Sequence, residues 1–542
     1  MLSERPGSGS MSETLQWAQA VNGTFDQLGA WLANGSSTTL TPTSITPVQF
    51  ATDSSTSYTV SGTGTAASLA SLDPVNLSGT VSAAGPLTVT AGRLSVSGAL
   101  SVGDVVIGAG VVDVGRGTVF TQAPALTSSG TVHVGVGGTL VVETGVHLVS
   151  AVGLVTDVAA IVDGGGGVTL SGPASDPGEA SGSATWASAA GLQIGGSGGP
   201  GTMTLNGGDD GLSARVITIG AGGVLALNGS SLAATVPITM AGGTLHLLDY
   251  RGTIEMIPAV AAGPVTLAAG SLDTVDEYGT LSGVISGAGT LLVNGVMLAN
   301  VANTYTGGTV IEGGQLSLPG PGSAGTGPLS FAPSVTGGVQ FGSGTGSGTV
   351  AVGSAHASVS TGNATLTVLG GGGVATVLGG AGGGAFYAGS ASGNHLVAGT
   401  GATTLVGAAA GNQLIAGSTG VDLLVGGAGN ETLNGAAATR ADSLFTGPGA
   451  DLVQTGMAAD TVTTGSGPVT VQAGSGEALI FGSAAALTYY GTAYNTGKAA
   501  TVVGGSGGNA LYGAAGSLTF YASQGGGVAM AARRGVACST AA

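Results

Sequence analysis

The sequence predicts an all-β chain: a parallel β-helix or β-roll solenoid preceded by one short N-terminal α-helix. Three observations carry this. Glycine supplies 109 of the 542 residues, about three times its ordinary share, and it follows no triplet period, which sets collagen aside. Only 26 acidic and nine basic residues are present while 43% of the chain is apolar, so disorder of the charged kind is excluded. Short segments with apolar residues at alternate positions recur, each closed by a glycine turn, as in Leu87-Thr88-Val89, Leu94-Ser95-Val96, Ile217-Thr218-Ile219 and Leu245-His246-Leu247. Alternation at period two marks a half-buried strand. Strands this short bury a continuous core only when they are stacked rung upon rung.

Taken in order, residues 1–11 read as a flexible tail. Residues 12–34 read as an amphipathic helix, a cap on the stack or a docking element. Ser12 stands at the N-cap, Leu15, Ala18, Val21, Phe25, Leu28 and Leu32 recur at three or four residues, and Asn34-Gly35 is a stop signal. Two tryptophans, Trp17 and Trp31, fall inside it. Residues 35–330 read as parallel β-helix and 331–359 as a transition. From 360 to 525 the repeat tightens to nine or ten residues. Its inward positions are Val368, Val377, Phe386, Leu396, Leu405 and Leu414, then Leu424, Leu433, Leu444, Val453, Val462 and Val471, then Ile480, Tyr489, Val502, Leu511 and Phe520. Residues 526–542 read as a C-terminal tail.

Two stretches resemble known repeat families. Asn303-Thr304-Tyr305-Thr306-Gly307-Gly308-Thr309, followed by Gly313-Gly314-Gln315-Leu316 and preceded by Ile285-Ser286-Gly287-Ala288-Gly289-Thr290-Leu291, looks like the autotransporter-associated β-strand repeat. The resemblance covers about 280–318 and implies a right-handed parallel β-helix in a secreted region. The segment 360–525 resembles a degenerate form of the nonapeptide β-roll of repeat-in-toxin proteins, with Gly426-Gly427-Ala428-Gly429-Asn430-Glu431-Thr432-Leu433 as its best copy.

That second resemblance implies Ca²⁺ sites. In the nonapeptide family the ligating carboxylate lies two positions before the inward residue, and here those positions hold Asp422, Glu431, Asp442, Asp451 and Asp460. From residue 313 onward there are six acidic residues, and five occupy this slot in consecutive repeats; the sixth is Glu477. With two strands to a coil, Asp422, Asp442 and Asp460 are expected on one edge, and Glu431 and Asp451 on the other. Ca²⁺ takes six or more oxygens, which glycine-rich turns supply as carbonyls. Other repeats carry Asn394, Asn412 and Asn509 in the same slot, and an amide ladder stacks there without metal.

Function is expected to be structural or adhesive: a secreted or cell-surface solenoid that self-associates into a fibre or surface layer, or contacts a surface glycan or matrix. It is not expected to be an enzyme. The alternative is a polysaccharide-active β-helix enzyme built on Asp209-Asp210 with Arg215, or on Asp249 with Arg251 and Glu255. Gly207-Gly208 and Gly211 around the aspartate pair are turn residues. His133, His147, His246, His356 and His395 are dispersed, and His133 and His246 sit between inward residues and should face outward. Cys538 is the one cysteine, so no intrachain disulfide and no cysteine-based zinc site is expected. The net charge of −17, with nine scattered basic residues, argues against nucleic acid. No run of 18 apolar residues suggests a transmembrane segment. The start of the chain lacks the charged and apolar regions of a Sec signal, so an extracellular location implies another route.

Overall fold

In a computed structural model, the described residues are 14–540 except 20, 34, 53–54, 104, 108–109, 115–124, 129–131, 135–138, 143–146, 151–159, 163–165, 172–184, 197–199, 207–210, 229–230, 249, 252–255, 258, 277, 409–410, 493–498, 515, 524–526 and 531–535. They form strands and turns, with one short 3₁₀ turn at Pro321–Ala324. The chain divides into two units, residues 1–290 and 291–542. Each is a parallel β-solenoid.

The first unit winds three strands per coil. Thr63–Ala66, Ser68–Ser71 and Val75–Leu77 make one coil, and Thr80–Ala83, Leu87–Val89 and Arg93–Val96 the next. Registers run parallel, with Leu69 on Leu87 on Val105 along one face and Val75 on Leu94 on Val112 along another. All six side chains are buried, as the alternation requires. Coils approach closely at glycine corners. A Cβ on Gly79 would lie 1.8 Å from the carbonyl oxygen of Gly62, and one on Gly98 would lie 2.0 Å from that of Gly79, so no side chain fits this column.

The second unit winds two strands per coil, which sets its inward positions mostly nine or ten residues apart. One face stacks Val368, Phe386, Leu405, Leu424, Leu444 and Val462, and continues through Ile480 and Val502 to Phe520. The opposite face stacks Val377, Leu396, Leu414, Leu433, Val453 and Val471, and continues to Tyr489 and Leu511. Every inward residue read from the sequence is buried. The same coil already runs through the stretch expected as a transition, in Thr336–Phe341, Ser347–Ala351 and His356–Ser360. In the stretch expected as a tail, Gly527–Met530 and Val536–Thr540 pair in parallel with earlier strands. Within the motif at 303–309, Asn303, Tyr305 and Thr309 are buried; Asn303 Nδ2 donates to the Ser323 carbonyl at 2.7 Å, and the Tyr305 hydroxyl pairs with Thr309 Oγ1.

The N-terminal α-helix expected at 12–34 is corrected by the structure. Among the described residues this segment is Leu15–Trp17, Gly23–Thr24 and Trp31–Ala33, with Ser36–Thr38 following. The first and third strands pair antiparallel, and the first also pairs in parallel with Pro47–Phe50 of the coil beneath. The helical spacing was a coincidence of composition: Val21 and Leu28 are 55% and 70% exposed, whereas Leu15 and Trp17, two apart, are buried. Gly29 and Gly35 hold φ of 79° and 78°, a left-handed backbone that breaks a helix and suits glycine. A cluster of rings takes the helix's place. Trp17 and Trp31 meet edge to face at 4.8 Å, Phe25 meets Trp31 at 5.3 Å, and Tyr58 stacks on Trp17 at 6.4 Å. Trp31 Nε1 donates to the Phe25 carbonyl at 3.1 Å, so the cap's largest side chain is buried with its polar atom paired.

Candidate functional site, a buried carboxylate ladder

Each of the five acidic slots of the second unit lies at the start of a short strand, one turn after a glycine-rich corner. The preceding backbone turns the side chain inward, and all five carboxylates are buried. They stack on two edges as the two-strand coil dictates, Asp422, Asp442 and Asp460 on one and Glu431 and Asp451 on the other.

The partners of these carboxylates are backbone amides. On the first edge, Thr403 N donates to Asp422 Oδ1 at 2.8 Å, Asp422 N to Asp442 Oδ1 at 2.8 Å, and Asp442 N to Asp460 Oδ1 at 2.9 Å. On the second, Glu431 N donates to Asp451 Oδ1 at 2.9 Å. Each of the four aspartates thus takes the main-chain N–H of the residue one coil earlier, while Glu431 takes the side-chain amide of Asn412. The second oxygen takes an N–H of its own turn: Gly417 for Asp422 at 2.7 Å, Gly447 for Asp451 at 2.9 Å, Gly456 for Asp460 at 2.5 Å, and Gly427 for Glu431. The asparagine slots continue the second edge. Ala375 N donates to Asn394 Oδ1, Asn394 N to Asn412 Oδ1, and Asn412 Nδ2 to Glu431 Oε1.

Glu431 is one methylene longer than its neighbours, and glycines accommodate it. A Cβ on Gly407 would lie 2.5 Å from Glu431 Oε1, and one on Gly426 would lie 2.9 Å from Oε2.

Asp442 breaks the pattern. Its Oδ2 is buried and has no donor among the described residues. The cause is the turn before it. Eleven residues separate Leu433 from Leu444, the longest step between inward positions in the acidic stretch. In this longer turn the amide at the donor position, Ala436 N, is taken by Asn434 Oδ1, and Ala438 N donates to Gly435 O. Burial, with the Asp422 and Asp460 carboxylates on either side, pushes the Asp442 carboxyl up to about 7, against the pull of the Asp422 amide. Burial likewise raises Asp422, Glu431, Asp451 and Asp460, while their amide donors hold them down.

As a metal site the ladder has little to offer as folded. Among the described residues no three acidic, histidine or cysteine side chains converge as ligands would, and one carboxylate oxygen is unpartnered where Ca²⁺ takes six or more oxygens. An ion at Asp442 needs neighbouring acids to release amide donors.

Most groups of the alternative enzyme reading cannot be placed among the described residues. Asp209, Asp210, Asp249 and Glu255 lie outside the described residues, as does the side chain of Arg251, and Arg215 is exposed. His246 faces outward between buried Leu245 and Leu247 and pairs with Asp276 on the next rung. The side chains of His133 and His147 fall outside the described ones, His356 is exposed and His395 half-buried. A hollow of about 360 Å³ beside the 3₁₀ turn is lined by residues such as Pro321, Pro328, Phe341 and Thr349, none of them ionisable. Among the described residues no helix is long and apolar enough to cross a membrane.

Sequence reasoning placed the slots and their two edges. It missed the amides they bind and an apolar row on the outer surface. The signal for that row was present: the residue after each inward position is often large, as at Leu369, Tyr387, Phe445 and Phe481. Comparison of the chain with protein families, curated proteins and solved structures finds no match.

Proposed function

We propose that this chain is a structural solenoid of the cell exterior, extracellular or held at the cell surface, that works by assembling with copies of itself or with a surface matrix and not by catalysis. One observation carries the reading. The buried acids of the second unit are held by amides of the same and the preceding coil, with Asp442 Oδ2 the one oxygen left over, and so serve the architecture. Stacked coils give extent at few residues per rung, and their neighbours alone stabilise them. The sparse charge and the single cysteine suit this role.

Ca²⁺ enters the proposal at the Asp442 edge, where a cation would relieve three stacked carboxylates. Such binding goes with displacement of amide donors and therefore with a rearranged roll.

The test is electron microscopy and sedimentation of the purified full chain over a wide concentration range, alongside incubation with acidic polysaccharides. Fibres, sheets or discrete oligomers are expected, with the polysaccharides unchanged. A particle that stays monomeric at the highest concentration and shortens a polysaccharide overturns the reading.

A further inference from the structure

Each rung on one face of the second unit places a residue outward, directly after the inward one. Parallel pairing lines these residues up from Leu369 and Tyr387 through Phe445 and Phe481 to Tyr521. These five are each at least 40% exposed. Val406, Val425, Thr463 and Val503 occupy the rungs between them. The adjacent outward row is small or apolar, as at Thr404, Ser443, Thr461 and Thr501. Neither row carries a charge. An apolar strip of this kind on a monomer marks an interaction surface.

We propose that this face packs against the same face of a second copy, as a two-fold pair with antiparallel solenoid axes. The inference rests on the self-assembly reading above and names its surface. Shape is the first argument. Phe445, Thr463, Phe481, Val503 and Tyr521 alternate large and small on successive rungs. A two-fold axis between Thr463 and Phe481 sets Phe445 opposite Val503 of the second copy, Phe481 opposite Thr463, and Tyr521 opposite Val425. Both faces share one rung spacing, so bumps and hollows stay in step along the strip. The same surface patch then serves both copies, as an isologous contact requires.

Charge is the second argument. Among the described residues from 291 to 530 the exposed charged side chains are Glu312, Arg440 and Glu477. The chain's net charge of −17 keeps copies apart elsewhere, but this face does nothing to repel its own image. Area is the third. In this register the six rungs from Val425 to Tyr521 overlap; at about 4.8 Å each and a strand length of about 15 Å they give roughly 430 Å² per copy, so a pair buries about 860 Å², the range of weak, concentration-dependent contacts.

The experiment is sedimentation of the full chain as wild type, Phe481→Asp and Gln454→Asp, the last placing a charge on the opposite outer face. Folding is checked by circular dichroism. The expected result is a paired or larger wild type, at least a tenfold weaker association for Phe481→Asp, and no change for Gln454→Asp. A Thr463→Cys variant in a Cys538→Ser background tests the register, since the two Thr463 positions flank the axis across sheets packed about 10 Å apart and a short bis-maleimide cross-linker should join them into a covalent dimer. A Phe481→Asp variant that associates as the wild type does moves the contact to another surface and leaves the self-assembly reading standing. A wild type that never associates removes both. A monomer that binds an insoluble β-glucan through Phe481 assigns the strip to a glycan and overturns the pairing. Should Phe481→Asp fail to fold, absence of the Thr463→Cys dimer alone overturns the register.

Discussion

Replacing Asp442 by asparagine should make the second unit more stable at pH 8 and less responsive to pH. In the folded roll this carboxyl titrates at about 7, against 3.8 for an ordinary aspartate. Between these values the folded state holds a proton that the unfolded chain has released, so stability falls as pH rises through the window and the penalty is complete above pH 7. A difference of about three units corresponds to about 4 kcal/mol. Asp422, Glu431, Asp451 and Asp460 shift the same way and steepen the slope. Asparagine keeps an acceptor for the Asp422 amide but places an NH₂ where Oδ2 had no partner. A buried donor left unpaired costs about 1–3 kcal/mol. The net expectation for Asp442→Asn is a gain of about 1–3 kcal/mol at pH 8 and little difference at pH 4, where the protonated carboxyl leaves a donor in the same place. Thermal melts of both proteins at pH 4, 6 and 8, followed by circular dichroism, read this directly. A wild type that gains stability from pH 4 to 8, or a variant that melts below it at pH 8, refutes the account.

The other expectations concern packing and calcium. Gly407→Ala should destabilise the roll by about 1–3 kcal/mol by crowding Glu431, and Glu431→Asp in the same chain should recover part of that in chemical denaturation; a loss unaffected by the second change places the strain elsewhere. Trp31→Ala removes a fully buried ring from the N-terminal cluster and should lower stability by about 3–5 kcal/mol, read as an earlier unfolding transition with the second unit's transition unchanged. Millimolar Ca²⁺ should raise the melting temperature at pH 8 and have no effect in Asp442→Ala with Asp451→Ala; a wild-type melt that ignores both calcium and chelator removes the ion from the ladder.

How much was legible in the sequence follows from where each signal resides. The inward residues Val368 to Phe520 were readable because in a stacked coil the local period and the long-range register are the same fact. The slots and edges of Asp422, Glu431, Asp442, Asp451 and Asp460 followed by counting. Their partners did not, because the donors are main-chain amides a coil away, which every residue type presents alike. The N-terminal strands were misread for a related reason. Leu15, Ala18, Val21 and Phe25 match a helical period, but the burial of Trp17 and Trp31 is decided by Phe50 and Tyr58, far along the chain. The outward row from Leu369 to Tyr521 was hidden because attention to the inward position treats its successor as solvent-facing.

The ladder also has a direction. Every acid reaches back to the coil before it and none reaches forward: Asp442 holds the amide of Asp422, and Asp460 holds that of Asp442. The strand ladder joins each coil to the one before it, but the amide at an acid slot of this edge is capped only when the next coil arrives. Damage travels by the same rule. Losing the Asp460 carboxylate frees the amide of Asp442 in the coil before it and that of Gly456 in its own turn, and leaves the bond from Asp422 to Asp442 in place, so the lesion's unpaired amides lie at and before its own rung and none after it.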